Sequence, residues 1–376
     1  MAWAVIFIVV FGIALLVPVV WAIVGMAQGR TQRFWPTILG MGFALALMLV
    51  TFVGMASDWG GCDADTDVGA VKCGECAADV WAKSCGKDES CGATDPGQYC
   101  PSGVRPTFVF CEAFVEGSVK QPAATWSDLC FIAVGLWLLW LLPLITSRRG
   151  SSAPFPLSLI PSDASNPMLG VGGLSLAYAL IIIFMGPPSM WFHASIKNWG
   201  GWFDSLSVVI WLGFNAFYVA YTLIFAMWGN GRGLPRTITV GVALAVAVAV
   251  FAAVGWVEPE ARLFGYVISG GLWGTFEVIY AIVAAKSTTL THRRAYWMFP
   301  VNAGILALTM GIWVLYNDGV IPAELCHDLE AFPGHGLFHI LASVSTLWTF
   351  FDFASERPVN QRNDRLGPGY SGRGNV

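Results

Sequence analysis

The chain has 376 residues, 56% of them hydrophobic and 12% charged, with a mean hydropathy of +0.64. These values exclude a set of soluble domains and imply a multispanning membrane protein. With 20 Lys plus Arg against 24 Asp plus Glu, the net charge is −4 and no basic stripe exists, which excludes nucleic acid as a partner.

A span needs roughly 20 apolar residues to cross about 30 Å of hydrocarbon. The chain predicts nine of them, near 3–26, 35–57, 124–146, 168–188, 204–228, 237–257, 263–285, 295–316 and 334–355. The first carries no basic stretch before its apolar run, so it reads as a retained helix with its N-terminus outside, not as a secretory signal. Short cytoplasmic loops retain Lys and Arg. Arg30 and Arg33, Arg148 and Arg149, Arg232 and Arg236, then Lys286, Arg293 and Arg294, and finally Arg357, Arg362, Arg365 and Arg373 fall on alternate sides, all cytoplasmic in this orientation. A bacterial inner membrane suits this composition, although an organellar membrane facing a lumen leaves the same charge pattern. The 18 Trp fit interfacial belts.

Between the second and third spans lies the one long polar stretch. It holds Cys62, Cys73, Cys76, Cys85, Cys91, Cys100 and Cys111, and eleven acids against Lys72, Lys83, Lys87 and Arg105 over residues 58–119. Cysteines in such a loop imply a small disulfide-stapled domain on an oxidising, extracytoplasmic side. Cys326, in the last outer loop, would complete an even set, whereas Cys130, inside a span, reads as a free packing thiol. Asp63-x-Asp65-x-Asp67 alternates like a calcium loop, but Val68 stands at the sixth position and no glutamate at the twelfth. The organisation is therefore 1–57 (two N-terminal spans), 58–119 (acidic cysteine-rich domain), 120–356 (seven spans) and 357–376 (a polar cytoplasmic tail expected to be disordered).

Ionisable groups inside a membrane are costly, so each is a functional candidate. His335 and His339 stand four apart at the outer start of the last span, which puts both imidazoles on one helix face. That spacing suits two ligands of one metal, or two rings each satisfied by a carbonyl. His193 lies at the outer end of the fourth span, so three histidines meet in one leaflet. Three imidazoles plus water is the open arrangement of catalytic zinc, which lowers the pKa of its water to about 7. Asp204, after Gly200-Gly201 read as a break, is placed to handle protons, or to serve as a helix N-cap. Ser189 lies one turn before His193 and can orient water or an oxyanion, or simply follow Pro187-Pro188 as a helix breaker. Thr125, Ser127 and Asp128 add polar groups at the outer end of the third span. Glu277, deep in the seventh, must face the bundle interior, where a structural partner is favoured over a catalytic role.

Ser189-x3-His193-x10-Asp204 followed by His335-x3-His339 resembles the signature of the CREST superfamily of seven-helix membrane hydrolases, which includes alkaline ceramidases, Per1-type remodellers of GPI lipids, and progestin and adipoQ receptors. The resemblance covers roughly 109–355. It implies an all-α, seven-helix bundle, here preceded by two extra helices and the disulfide-rich outer domain. It further implies zinc on His193, His335 and His339, proton handling by Asp204, and assistance from Ser189. Cys111-Glu112 and the run Gln121 to Asp128 are similar to the ceramidase opening, while Gln121-Pro122-Ala123 and the closing Gly334-His335-Gly336-Leu337-Phe338-His339 are similar to the Per1 group. Val109, Phe114 and Gln121 replace the ceramidase calcium ligands and leave Glu112 alone, which speaks against a family-type calcium site. The ceramidase precedent implies a disulfide between Cys111 and Cys326.

The expected function is a zinc-dependent hydrolase of a membrane lipid. Cleavage of a ceramide-like acyl amide is favoured over an ester of a phospholipid or GPI-type lipid. A lipid-responsive receptor with structural zinc is the reading from a different class. A transporter would call for repeated halves, and no repeat is seen. The sequence points to no particular protein partner and fixes no oligomeric state.

Overall fold

The structure is a computed structural model that describes residues 2–29, 31–57, 118–119, 121–146, 166–170, 173–195, 198–258, 261–286, 292–295, 297–316 and 334–358. The cysteine-rich region with Cys111, Glu112 and the Asp63-x-Asp65-x-Asp67 run lies outside the described residues, as do Cys326, the expected Cys111 to Cys326 bridge and the tail after Pro358.

The described residues form an all-α protein with nine helices long and apolar enough to cross a membrane. Helices α1 (Ala2–Ala27) and α2 (Thr31–Ala56) come first. The third span is made of α3 (Pro122–Ser127) and α4 (Leu129–Thr146), separated only by Asp128. A single turn, α5 (Pro167–Gly170), precedes α6 (Leu174–Ser195). Then follow α7 (Asn198–Val257), α8 (Ala261–Lys286), α9 (Met298–Leu315) and α10 (Gly334–Ala354). One antiparallel pair, β1 (His292–Arg293) with β2 (Arg357–Pro358), ties the loop after α8 to the chain after α10.

Helix α7 carries two spans within one 60-residue element. Fifty residues of straight helix would reach about 75 Å. Instead, Trp202 Nε1 donates to the Ala252 carbonyl at 2.7 Å, and its ring meets Trp256 edge-on at 5.1 Å. The element therefore doubles back on itself.

Burial separates the interior from the lipid-facing shell. The third and fifth spans are each 72% buried along their most apolar window, against 6% for Arg236–Val257. Helices α1 and α2, 17% and 22% buried over the same kind of window, dock on the interior spans through polar contacts that hydrocarbon cannot offer. Thr37 Oγ1 donates to Leu139 O at 3.1 Å, Trp137 Nε1 to Ala14 O at 2.9 Å, and Trp191 Nε1 to Thr51 Oγ1 at 2.7 Å. Between α4 and α6 the backbones come close because the contact positions are glycines. A Cβ on Gly135 would stand 2.8 Å from the Ala179 carbonyl, and one on Gly186 would stand 2.9 Å from the Asp128 carbonyl.

Two boundaries differ from the sequence reading. The fourth span runs to Ser195, not to 188, because Pro187 and Pro188 lie inside α6 without ending it, packed against neighbouring helices. Gly200 and Gly201 are helical and do not form the break. They let α7 lie against α6: a Cβ on Gly200 would meet Phe192 Cα at 3.0 Å, and one on Gly201 would meet Phe192 Cε2 and Arg262 Nη1 at 3.1 Å. Asp204 consequently sits in the second turn of α7 and is not an N-cap.

At the end of the bundle marked by the C-termini of α8 and α10, a buried ionic cluster replaces the exposed loop charge expected of Arg294. Its guanidinium donates to Glu277 at 2.8 and 3.1 Å and to Thr222 at 3.0 Å. It also approaches Glu356 at 3.7 Å and Asp352 at 3.9 Å, and lies 4.3 Å from the Tyr280 ring centroid. Burial opposes its charge, but Glu277 and Glu356 hold it protonated, well above its already high ordinary value. Removing one member of such a set strands the others in a dry interior. Arg294→Met should therefore lower the stability of the detergent-solubilised protein by about 3–5 kcal/mol, read from its thermal denaturation, whereas a lysine at an exposed loop position should be nearly silent when replaced.

Candidate metal centre

At the opposite end, three elements bring together the residues that the sequence singles out. Helix α6 carries His193 in its last turn, and α10 presents His335 and His339 from its first two turns on one face. All three imidazoles are buried, none more than 4% exposed. Their ring centroids lie 4.5 Å (His335 to His339), 4.7 Å (His193 to His335) and 5.1 Å (His193 to His339) apart. One nitrogen from each lies within 4.8 Å of the other two, a group that can hold a metal ion. His193 Nε2 and His335 Nε2 face each other at 3.1 Å.

The far side of two rings is held by the start of the third span. His193 Nδ1 lies 2.7 Å from Gln121 Oε1, and His339 Nδ1 lies 2.8 Å from Ser127 Oγ and 3.0 Å from Asp128 Oδ1. Ser127 donates its own proton to the Ala124 carbonyl at 2.6 Å, so its oxygen accepts from His339. An acceptor behind Nδ1, Ser127 Oγ for His339 and Gln121 Oε1 for His193 in the orientation seen, draws the proton there and leaves Nε2 with a bare lone pair. That is how metal-binding histidines are oriented in proteins. Three nitrogen donors, no thiolate and two such outer contacts fit zinc, or a similar borderline cation, better than a hard oxygen-seeking one.

Thr125 turns away from this centre, its hydroxyl donating back to the Gln121 carbonyl one turn earlier at 2.7 Å. Ser189, buried on α6 one turn before His193, is the polar side chain that faces the Asp204 carboxylate and favours its ionised form. Arg262, at the start of α8, acts on the same carboxylate electrostatically and donates through Nε to the Gly255 carbonyl at 2.9 Å. Asp204 is half-buried and forms no part of the histidine group. The arrangement thus separates a histidine triad that can hold a metal from the Asp204 carboxylate, on which Ser189 and Arg262 act. Glu277 stands with Arg294 at the other end of the bundle, remote from both. Phe7 of α1 closes one flank: a Cβ on Gly336 would stand 2.9 Å from Phe7 Cε2.

Sequence reasoning did not assign two of these residues a role. Gln121 enters it only through the motif resemblances and as a departure from an acidic position, and Arg262 does not enter it. The available signal for Gln121 was its place directly before Pro122, at the head of the span that also carries Ser127 and Asp128.

Neither a family model nor a curated protein matches the chain. The site geometry carries the functional reading.

Proposed function

We propose that the protein is a zinc-dependent intramembrane lipid hydrolase that cleaves an acyl amide of a ceramide-like lipid, with ester cleavage of a phospholipid or GPI-type lipid as the alternative bond. The supporting observation is the buried convergence of His193, His335 and His339, with Asp204 next to Ser189, one turn from His193 on α6. Bound zinc supplies a Lewis acid and a water acidified to a pKa of about 7. The three histidines hold the ion, and Gln121, Ser127 and Asp128 keep their rings turned toward it. Asp204 takes the proton of the attacking water and returns one to the leaving amine nitrogen, a role that needs a carboxylate in a fixed place. Ser189 keeps it there. The resemblance to the seven-helix membrane hydrolases over 109–355 points the same way. In this reading the centre and the N-terminus face the extracytoplasmic side of a bacterial inner membrane, and the C-terminus faces the cytoplasm.

Burial of all three imidazoles also suits a structural metal in a lipid-responsive receptor. One preparation separates the two readings. The purified protein is assayed for bound metal and incubated with ceramides and diacyl phospholipids, with products followed by mass spectrometry. About one zinc per chain with release of sphingoid base is the expected result, and lysolipid would select the ester bond. Zinc without product would favour the receptor, and no zinc would overturn the metal centre.

A further inference from the structure

We infer that Gln121 is the positioning residue that sets the tautomer of His193 and thereby the metal affinity of the centre. This inference rests on the metal-binding part of the proposed function. Gln121 is fully buried and occupies the position just before α3, where a side chain ordinarily caps the first turn. Its side chain makes no such cap. It turns instead to α6, placing Oε1 2.7 Å from His193 Nδ1, while its backbone N–H donates to the His193 carbonyl at 3.0 Å. The same residue therefore grips His193 at both backbone and ring.

The carboxamide can face the ring in two ways. With Oε1 toward Nδ1, the imidazole carries its proton on Nδ1 and offers a bare Nε2 to the centre. With the NH2 toward Nδ1, the proton moves to Nε2 and is shared with His335 Nε2, 3.1 Å away, which blocks the ligand position. Among the described residues no acceptor takes a hydrogen bond from Gln121 Nε2. No described residue therefore forces the amide into either orientation, and a cation on His193 Nε2 selects the first. In contrast, His339 is backed by Ser127, whose hydroxyl proton is committed to the Ala124 carbonyl, so that its oxygen accepts. The centre is thus built with one fixed ligand, backed by Ser127, and one whose readiness depends on an amide.

The test uses the full-length protein in detergent and reads zinc and cobalt(II) affinity by chelator competition, with no lipid present. Gln121→Leu removes the acceptor and should weaken binding roughly 10–100-fold, the range for losing an outer partner of a metal-bound histidine. Gln121→Glu offers an acceptor that, once ionised, cannot donate, and should bind at least as tightly as the unsubstituted protein. It should also keep the cobalt(II) visible spectrum, which a purely structural role would not require. Loss of affinity in Gln121→Glu comparable to that in Gln121→Leu, in a protein that stays monodisperse, would overturn the inference while leaving the metal centre intact. If the unsubstituted protein binds neither ion, the metal reading fails and this inference with it. Absence of hydrolysis alone touches neither result.

Discussion

Replacing His335 or His339 with alanine is expected to abolish metal retention and lipid turnover together, in a protein that still folds. Each ring supplies one of only three nitrogens that lie within 4.8 Å of each other, and no other His, Cys, Asp or Glu among the described residues joins the group. A two-histidine remainder has no substitute donor among the described residues. The loss should therefore exceed the roughly 10–100-fold produced by removing an outer partner. The two variants should differ in stability. His339 also lies 3.0 Å from the buried Asp128 carboxyl group and 2.8 Å from Ser127, so its removal takes a neighbour from buried polar groups, at a cost of the order of 1–3 kcal/mol. His335→Ala should accordingly melt above His339→Ala. Metal per chain by mass spectrometry and thermal denaturation in the same detergent check both statements. A His339→Ala protein with full activity would overturn the mechanism.

The membrane architecture was legible because hydrocarbon imposes a single coarse rule, length and apolarity, and the nine expected spans overlap the nine observed. The histidine group was legible for a similar reason. Polar residues are so unfavourable in a span that His193, His335 and His339 stand out by type, and the i,i+4 spacing of two of them fixes a shared face. What the sequence hid depends on tertiary contact. Pro187 and Pro188 read as a stop, yet α6 continues past them, which is what carries His193 into its last turn beside α10. Gly200-Gly201 read as a turn, yet the pair serves close packing against Phe192. Arg294 read as a loop charge because it lies between two spans in a basic stretch. Only the fold shows Glu277, Asp352 and Glu356 arriving around it from two other elements. Gln121 was hidden most completely, since its partner is 72 residues away and nothing in its local pattern names a histidine.

Asp204→Asn should leave zinc in place and remove turnover, the opposite split from a mutation that acts on the metal. The side chain lies outside the histidine group, so the donor set is unchanged. Asparagine is nearly isosteric and its carbonyl oxygen can still accept from a hydroxyl, so the local geometry should persist. Arg262 keeps its bond to the Gly255 carbonyl at 2.9 Å, which limits the disturbance from losing the neighbouring negative charge. What asparagine cannot do is take a proton from water and hand one to the leaving nitrogen. General acid–base catalysis of this kind is worth roughly 10²–10⁴-fold, so kcat should fall by that factor with metal stoichiometry near that of the unsubstituted protein. Ser189→Ala should lose less, because Ser189 acts only by holding the carboxylate; a hydrogen bond to a charged group is worth about 1.5–3 kcal/mol. Single-turnover assays on a fluorescent lipid, run beside metal analysis, separate these cases. If Asp204→Asn retained full turnover, proton handling would have to be reassigned. If it lost zinc as well, Asp204 would belong to the metal-binding set and the division between triad and carboxylate would fall.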